Sequence, residues 1–398
     1  MQSANGSGGI LRIMGDVLPF DLLPLARHFI HLRDTQTIMP TIQTRITTLL
    51  NIRYPIILPG MSWISTPELV AAVSNAGGLG ILALGPLSPE ETAASIRRIR
   101  ELTDQPFGVN VALLMPGAVD NAKVALAERV PVINFSLGKG DWLIKACHEY
   151  GGKVIATVTT AKHALGAEAQ GVDALLVTGH EAAAHGGEVT SMVLIPAIAD
   201  VVQIPVIGCG GFADHRGLVA ALALGAEGVA MGSRFATCAE SPVHQNTKQA
   251  VLDKDQHATI YSPHFDGLPA RYMQTPTAQR LTRHPMSFFV AAWQAMRAAR
   301  SLGISLWKIL AGLIAEPKQI RLLACFGAAT PRLKAATVDG DLVQGMQFIG
   351  QSQGLIHDIP TAAELMSRTV LDAYALLAER GKVFHDPAAE QVNELFSG

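Results

Sequence analysis

The sequence has few cysteines and pairs none of them: Cys147, Cys209, Cys238 and Cys325 stand far apart and form no CxxC. That spacing offers neither a zinc-ligand pattern nor a disulfide framework, and it fits a reducing, cytoplasmic setting. Net charge is equally scarce, a formal −2 from 31 basic and 33 acidic residues among 398. With no basic patch, there is nothing to hold a nucleic-acid backbone or an anionic membrane surface. No apolar run reaches the roughly 20 residues of a membrane span. The stretch GILRIMGDVLPFDLLPLARHFIHL is broken by Asp16, Pro19, Asp21 and Pro24 and has no basic start, so it does not read as a signal peptide. A regular pattern begins only near Met39, and residues 1–38 are expected to be a disordered extension. A GxGxxG turn is missing after the first apolar run, where PGMSWIS stands instead, and this disfavours an open dinucleotide-binding sheet.

What the chain does have, from Tyr54 onward, is one alternation. Apolar runs at 55–61, 78–84, 107–113, 130–138, 153–158, 174–179, 204–211 and 228–235 are each followed by a longer helical pattern. Runs this apolar, without polar alternation, fit strands buried on both faces, the habit of parallel sheets. The helical segments carry their own punctuation. Thr66 precedes Pro67 as an N-cap, Ser88 and Glu91 have capping-box spacing, and 215–228 ends in glycine. Eight such units predict an α/β protein, a (β/α)8 TIM barrel with a small helical C-terminal flank. The barrel core is expected over 39–245. Residues 246–398 are expected to supply a long loop, helical stretches at 284–303 and LWKILAGLI, and an amphipathic helix from Thr361, together completing the barrel and covering the active site.

This fold places its chemistry at the C-terminal strand ends. After strands seven and eight come GCGGFADHRG and MGSRF, where Gly210, Gly211, Met231, Gly232 and Ser233 can bring backbone N–H groups to a phosphate. Plain turn chemistry is the bland alternative, since glycine ends many strands. After strand one, Pro59 and Gly60 give bare backbone for a flat ring, and Met61 can pack on its face. Asn110, at the end of strand three, offers a donor and an acceptor to a heterocycle edge. Together these suggest flavin mononucleotide (FMN). After strand six, in EAAAHGGE, His185 is the candidate general acid or base, with Ala184, Gly186 and Gly187 leaving room beside it. His180 and Glu181 read as structural, and Tyr261 and Tyr272 as residues that can face a substrate or simply pack.

The block from Tyr54 to His244 resembles the nitronate monooxygenase (2-nitropropane dioxygenase) family. YPIILPGM, AGGLGILAL, FGVNV, EAAAHGGE, IPVIGCGGFADHRGLVAALALGAEGVAMGSRF and ESPVH carry the resemblance, and GQSQGLIHDIP is similar to the family's ending. It implies bound FMN, a catalytic histidine at His185, Pro59, Gly60, Met61 and Asn110 along the isoalloxazine, and Gly210, Gly211, Gly232 and Ser233 at its phosphate. The sequence departs from the family at EAAAH, where EAGGH is usual, and at Thr157, where some relatives carry lysine. The histidine motif is also similar to that of FMN-dependent enoyl-acyl carrier protein reductases. The expected activity is oxidation of alkyl nitronates by O₂ to a carbonyl compound and nitrite. The alternative is an NAD(P)H-dependent reductase of enoyl thioesters or quinones, and a third is a flavin-binding scaffold. A homo-oligomer stays open.

Overall fold

Burial on both faces is what makes the apolar runs unbroken. The computed structural model describes residues 40–183, 185–301 and 320–383; residues 1–38, Ala184 and LWKILAGLI lie outside them. The chain divides into two units, Met1–Pro40 and Thr41–Gly398, and the second contains everything that follows. It opens with α1 (Arg45–Leu50), after which strands and helices alternate: β1 (Ile56–Leu58), α2 (Pro67–Asn75), β2 (Leu79–Ala83), α3 (Pro89–Leu102), β3 (Phe107–Ala112), α4 (Ala118–Ala127), β4 (Val132–Ser136) and α5 (Asp141–His148). The series continues with β5 (Lys153–Val158), α6 (Ala161–Ala169), β6 (Ala174–Thr178), α7 (Ser191–Ala199), β7 (Val206–Cys209), α8 (His215–Ala223) and β8 (Gly228–Ala230). Each strand pairs in parallel with the next, and β8 pairs with β1 through Ile56↔Val229 and Ile57↔Ala230, closing the barrel.

Two apolar layers follow from the strand period of two. Ile57, Leu79, Ile81, Val132, Ile155, Leu176 and Ile207 fill the barrel, and α1 plugs this core with Ile46 and Leu50. Each of those two side chains, 0 and 2 % exposed, contributes about 1.5–3 kcal/mol by burial. The opposite strand faces pack under the helices. Local signals hold as expected in several places. Ser88 and Glu91 form a reciprocal capping box on α3, and Gly225 ends the α8 segment at φ +94°. Pro67 starts α2, although the Thr66 side chain makes no capping bond.

The run expected as an eighth strand over 228–235 splits. Only Gly228–Ala230 is strand, and Gly232–Ala236 forms a short helix, α9. There follow α10 (Gln245–Leu252), an antiparallel hairpin of β9 (Thr259–Ser262) and β10 (Ala270–Met273), α11 (Pro276–Arg283), α12 (Phe288–Ser301) and α13 (Ile320–Thr337). The hairpin stands where the sequence predicts only loop. A 3₁₀ turn (Gln351–Leu355) leads to α14 (Ala362–Gly381), capped by Thr361 and Glu364 and packed on α8 and α2. The eighth outer helix of the barrel is thus the last helix described, and β8 and α14 are separated by the whole excursion. Among the described residues, no helix is long and apolar enough to cross a membrane.

Candidate active site

A cavity of about 2080 Å³ opens at the C-terminal ends of the strands. Its floor is polar where β3, β4 and β5 end. Asn110 Nδ2 donates to Asn134 Oδ1 at 2.6 Å, and Asn134 Nδ2 donates to Thr157 Oγ1 and to the Ile155 carbonyl, both at 3.0 Å. This relay locks the Asn110 amide and leaves its Oδ1 as an acceptor on the cavity wall. The β1 loop lies directly on Asn110: a Cβ at Gly60 would meet Asn110 Cβ at 2.4 Å, so only glycine permits the approach. Ser65 pins that loop, accepting from Met61 N and donating to the Pro59 carbonyl.

Across the mouth, the strand-seven turn takes left-handed backbone at Gly210 (φ +105°) and Gly211 (φ +84°), where a side chain is strained. Ser191 Oγ donates to the Gly210 carbonyl at 2.8 Å, and the Glu181 carboxylate accepts the Ser191 amide at 2.9 Å. Gly232 and Ser233 begin α9, so their N–H groups face outward without helical partners. Ser233 Oγ accepts from Gly350 N at 2.9 Å, and a Cβ at Gly350 would meet the Glu181 carbonyl at 2.8 Å. Three distant segments therefore close on one bare cradle. Behind it, buried Arg234 donates to the Asp358 carboxylate and carbonyl at 3.0 and 2.8 Å.

His185 stands on the wall between these regions, its side chain 25 % exposed. Its Nε2 lies 2.9 Å from Asp266 Oδ2, and the same oxygen accepts the Tyr272 hydroxyl at 3.0 Å. Asp266 Oδ1 accepts Leu268 N at 3.2 Å, so both carboxylate oxygens of this side chain, 1 % exposed, are engaged. A carboxylate can only accept, which makes His185 Nε2 the protonated nitrogen and leaves Nδ1 without a partner among the described residues. Burial and the adjacent Asp266 charge hold the Tyr272 hydroxyl pKa well above its ordinary value, so it remains a donor. Phe326 and Phe348 flank the imidazole with ring centroids 5.6 and 6.0 Å away. Cys209 also lines the cavity, but burial pushes its thiol up to about 12, and it stays protonated.

Pro59, Gly60, Met61, Asn110, His185, Gly210, Gly211, Gly232 and Ser233 thus share one cavity wall. Gly186 and Met231 do not. Gly186 faces inward, its carbonyl accepting the Tyr261 hydroxyl at 2.9 Å, and Met231 is 1 % exposed in the core with its N–H on Ile57. His180 and Glu181 brace the loop, His180 through Nδ1 and the Gly187 carbonyl at 2.9 Å. Tyr272 is fully buried and faces Asp266, not the cavity. Asn134, Asp266 and Gly350 complete the site without having been singled out in the sequence. A flat heterocycle carrying a phosphate fits the set: a locked amide acceptor for its edge, bare backbone and Met61 for its face, and a glycine cradle with outward N–H groups for its anion.

Comparison with known proteins agrees with that geometry. The nitronate monooxygenase family model matches residues 43–128 and 117–372. The (3aS,4S,5R,7aS)-5-hydroxy-7a-methyl-1-oxo-octahydro-1H-indene-4-carboxyl-CoA dehydrogenase of Mycobacterium tuberculosis is 37 % identical over 341 residues, 83 % of this chain and 96 % of that one. A "probable nitronate monooxygenase" of Staphylococcus saprophyticus is 32 % identical over 61 % of this chain and 82 % of that one. Among solved structures, FabK from Thermotoga maritima superposes with a TM-score of 0.74 at 35 % identity, covering 86 % of this chain and all of that one.

Proposed function

Since the chain belongs to the nitronate monooxygenase family, we propose that it is an FMN-dependent dehydrogenase acting across the Cα–Cβ bond of a bulky carboxyl-CoA thioester. That it is an oxidoreductase of a flavin-using family follows from membership. The choice of FMN rests on the cradle, which offers one anion site at Gly210, Gly211, Gly232 and Ser233. The substrate class rests chiefly on size. Ligand pockets commonly measure about 300–1,000 Å³; this cavity, at about 2080 Å³ including the groove that runs over its rim, is larger than a flavin and a nitroalkane need. Support also comes from the named substrate of the M. tuberculosis relative, a fused-ring carboxyl-CoA.

When bound, the flavin supplies the two-electron acceptor for the hydrogen and electron pair that leave Cβ. The rest of the task falls to the chain's own residues. His185 Nδ1 takes the acidic Cα proton beside the thioester carbonyl. Asp266 holds Nε2–H, fixing the tautomer, and its charge stabilises the imidazolium that forms. Phe326 and Phe348 flank the ring and give the acyl group an apolar wall. Loss of one proton from Cα and one hydride from Cβ leaves the enoyl thioester. The same residues run backwards, with NAD(P)H as electron source, would reduce an enoyl thioester.

The family match supports a second reading, oxidation of alkyl nitronates with O₂, in which His185 deprotonates the neutral nitroalkane and holds its anion. Anaerobic mixing separates the two. Oxidised enzyme is combined in turn with a fused-ring carboxyl-CoA, propyl-2-nitronate, NADH and NADPH while flavin absorbance is followed at about 450 nm, a property of the cofactor. Bleaching by the thioester, with enoyl product formed, supports the dehydrogenase. Bleaching by nitronate with the thioester inert refutes it and establishes the second reading.

A further inference from the structure

The cavity does not end at the barrel mouth. Its wall continues over the rim through Ser136, Leu137, Gly138 and Lys139 after β4, and along one face of α6 through Lys162, Gly166 and Gln170, at a spacing of four residues. The two sides are tied together, Gly140 N donating to Gln170 Oε1 at 3.3 Å. The floor of this groove is bare, and a Cβ built at Gly166 would meet nothing within 4 Å. Two cations stand at its entrance, Lys139 and Lys162, both exposed and without an ion pair among the described residues, with His163 beside them. The exit on the other side of the mouth has the opposite sign: it is lined by Glu90, Glu91 and Asp120, the last paired with Lys123 at 3.8 Å. An anionic handle leaving the cavity is repelled at one exit and attracted at the other.

We propose that the α6 groove, with Lys139 and Lys162 at its entrance, binds the phosphate-bearing nucleotide handle of a co-substrate, and that this handle is the coenzyme A of the thioester. The assignment of coenzyme A rests on the reading under Proposed function; NADPH carries the same adenine-nucleotide phosphate chemistry and is the competing source. A thioester whose acyl group reaches His185 leads its handle out of the cavity, and the bare groove accommodates an extended chain that ends in phosphates. Both lysines are exposed, so substituting them should leave the fold intact.

The test is calorimetric binding to the flavin-loaded enzyme of coenzyme A, NADPH and pantetheine, in wild type and in a Lys139→Glu/Lys162→Glu double variant. The Kd for coenzyme A is expected to rise about tenfold or more in the variant, from the loss of two attractions and the gain of two repulsions, while pantetheine shifts less than twofold. A Lys139→Ala/Lys162→Ala variant with wild-type flavin content should give an intermediate loss and shows that reversal has not distorted the loop. Coenzyme A binding that is absent in wild type, or equal within twofold in the double variant, overturns the proposal. Lysine dependence confined to NADPH overturns the assigned occupant. The two readings fail separately. Lysine-dependent coenzyme A binding without flavin bleaching by any thioester refutes the dehydrogenase and leaves the groove; thioester bleaching with lysine-independent binding does the reverse.

Discussion

Replacing Asp266 with asparagine tests whether the imidazole is held as described. The carboxylate is 1 % exposed and uses both oxygens as acceptors, Oδ2 from His185 Nε2 and the Tyr272 hydroxyl, Oδ1 from Leu268 N. Asparagine keeps the shape but turns one of those acceptors into a donor. With the NH₂ toward Leu268, a donor faces a donor. With the NH₂ toward His185, the ring changes tautomer, and the Nδ1 lone pair proposed to take the proton is lost. In either orientation the charge opposite the developing imidazolium disappears. A hydrogen bond to a charged group contributes about 1.5–3 kcal/mol. At about 1.4 kcal/mol per decade in rate, kcat for the proposed thioester oxidation should fall by about 10- to 150-fold. No residue of the flavin cradle bonds to Asp266, so flavin content should not change. Tyr272→Phe removes one donor and keeps the charge; it should cost about 1–2 kcal/mol of stability but less than about fivefold in kcat. The assay is steady-state turnover at saturating thioester, alongside flavin stoichiometry and the pH profile of kcat. Asp266→Asn within twofold of wild type at normal flavin content, or a larger rate loss in Tyr272→Phe, would refute the assignment.

Three other perturbations give clear expectations. Gly211→Asp places a carboxylate at the anion cradle, on backbone at φ +84° and with its Cβ 3.6 Å from the Glu181 side chain; the protein should fold but purify without flavin, and a fully loaded yellow variant would show that the cradle lies elsewhere. Asp358 bonds to Arg368 and Arg234, which hold its carboxyl below the ordinary range chiefly through the Arg368 hydrogen bonds. Its stabilisation is therefore complete above the unfolded carboxylate pKa of about 3.9 and disappears as pH falls through the lower folded value. Thermal melts of Asp358→Asn should lie below wild type at pH 6, with the gap narrowing as pH falls below about 4; a gap that does not narrow with falling pH contradicts the linkage. Cys209, its thiol pushed up to about 12, holds only about one thiolate in 10⁴ at pH 8, so iodoacetamide should spare it in the native protein, as mapped by peptide mass. Alkylation of Cys209 at the rate of an exposed thiol would contradict its raised pKa.

The barrel was legible because its strands are buried on both faces: GLGILAL and ALLVTG contain strands whose every residue is buried. The final run was overread because Met231 and Phe235 are as apolar as the strand, and apolar content does not distinguish a buried strand from a buried short helix. The cradle glycines were legible as turns, and their positive φ explains why glycine stands there. Gly186 is expected to leave room beside His185 and Met231 to join the phosphate turn, but successive residues face different ways, and both turn into the protein. Asn134 did carry a signal, a lone amide within VPVINFSLG, and it proves to be the 2 % exposed centre of the floor relay. Asp266 carried none. It lies 81 residues beyond His185 in a stretch that looks like loop, and only the β9–β10 hairpin brings it back to the ring. The hairpin was itself obscured by the proline, glycine and polar residues around it.

The separation of β8 from α14 has a consequence for how the protein is made. The inner wall is complete as sequence once Ala230 has been synthesised, yet α2 and α8 wait for a partner that begins at Ala362. Met366 is the clearest example: it fills the space above Gly78, where a Cβ would come within 2.3 Å of its terminal methyl. Until that helix leaves the ribosome, at a synthesis rate of about 5–20 residues per second, the seam between the first and last units of the barrel has an apolar side open to water for several seconds. The contacts that seal it are among the longest-range in the chain, and such contacts form late and slowly. The nascent barrel thus exposes that seam throughout the interval in which residues 231–361 are being translated.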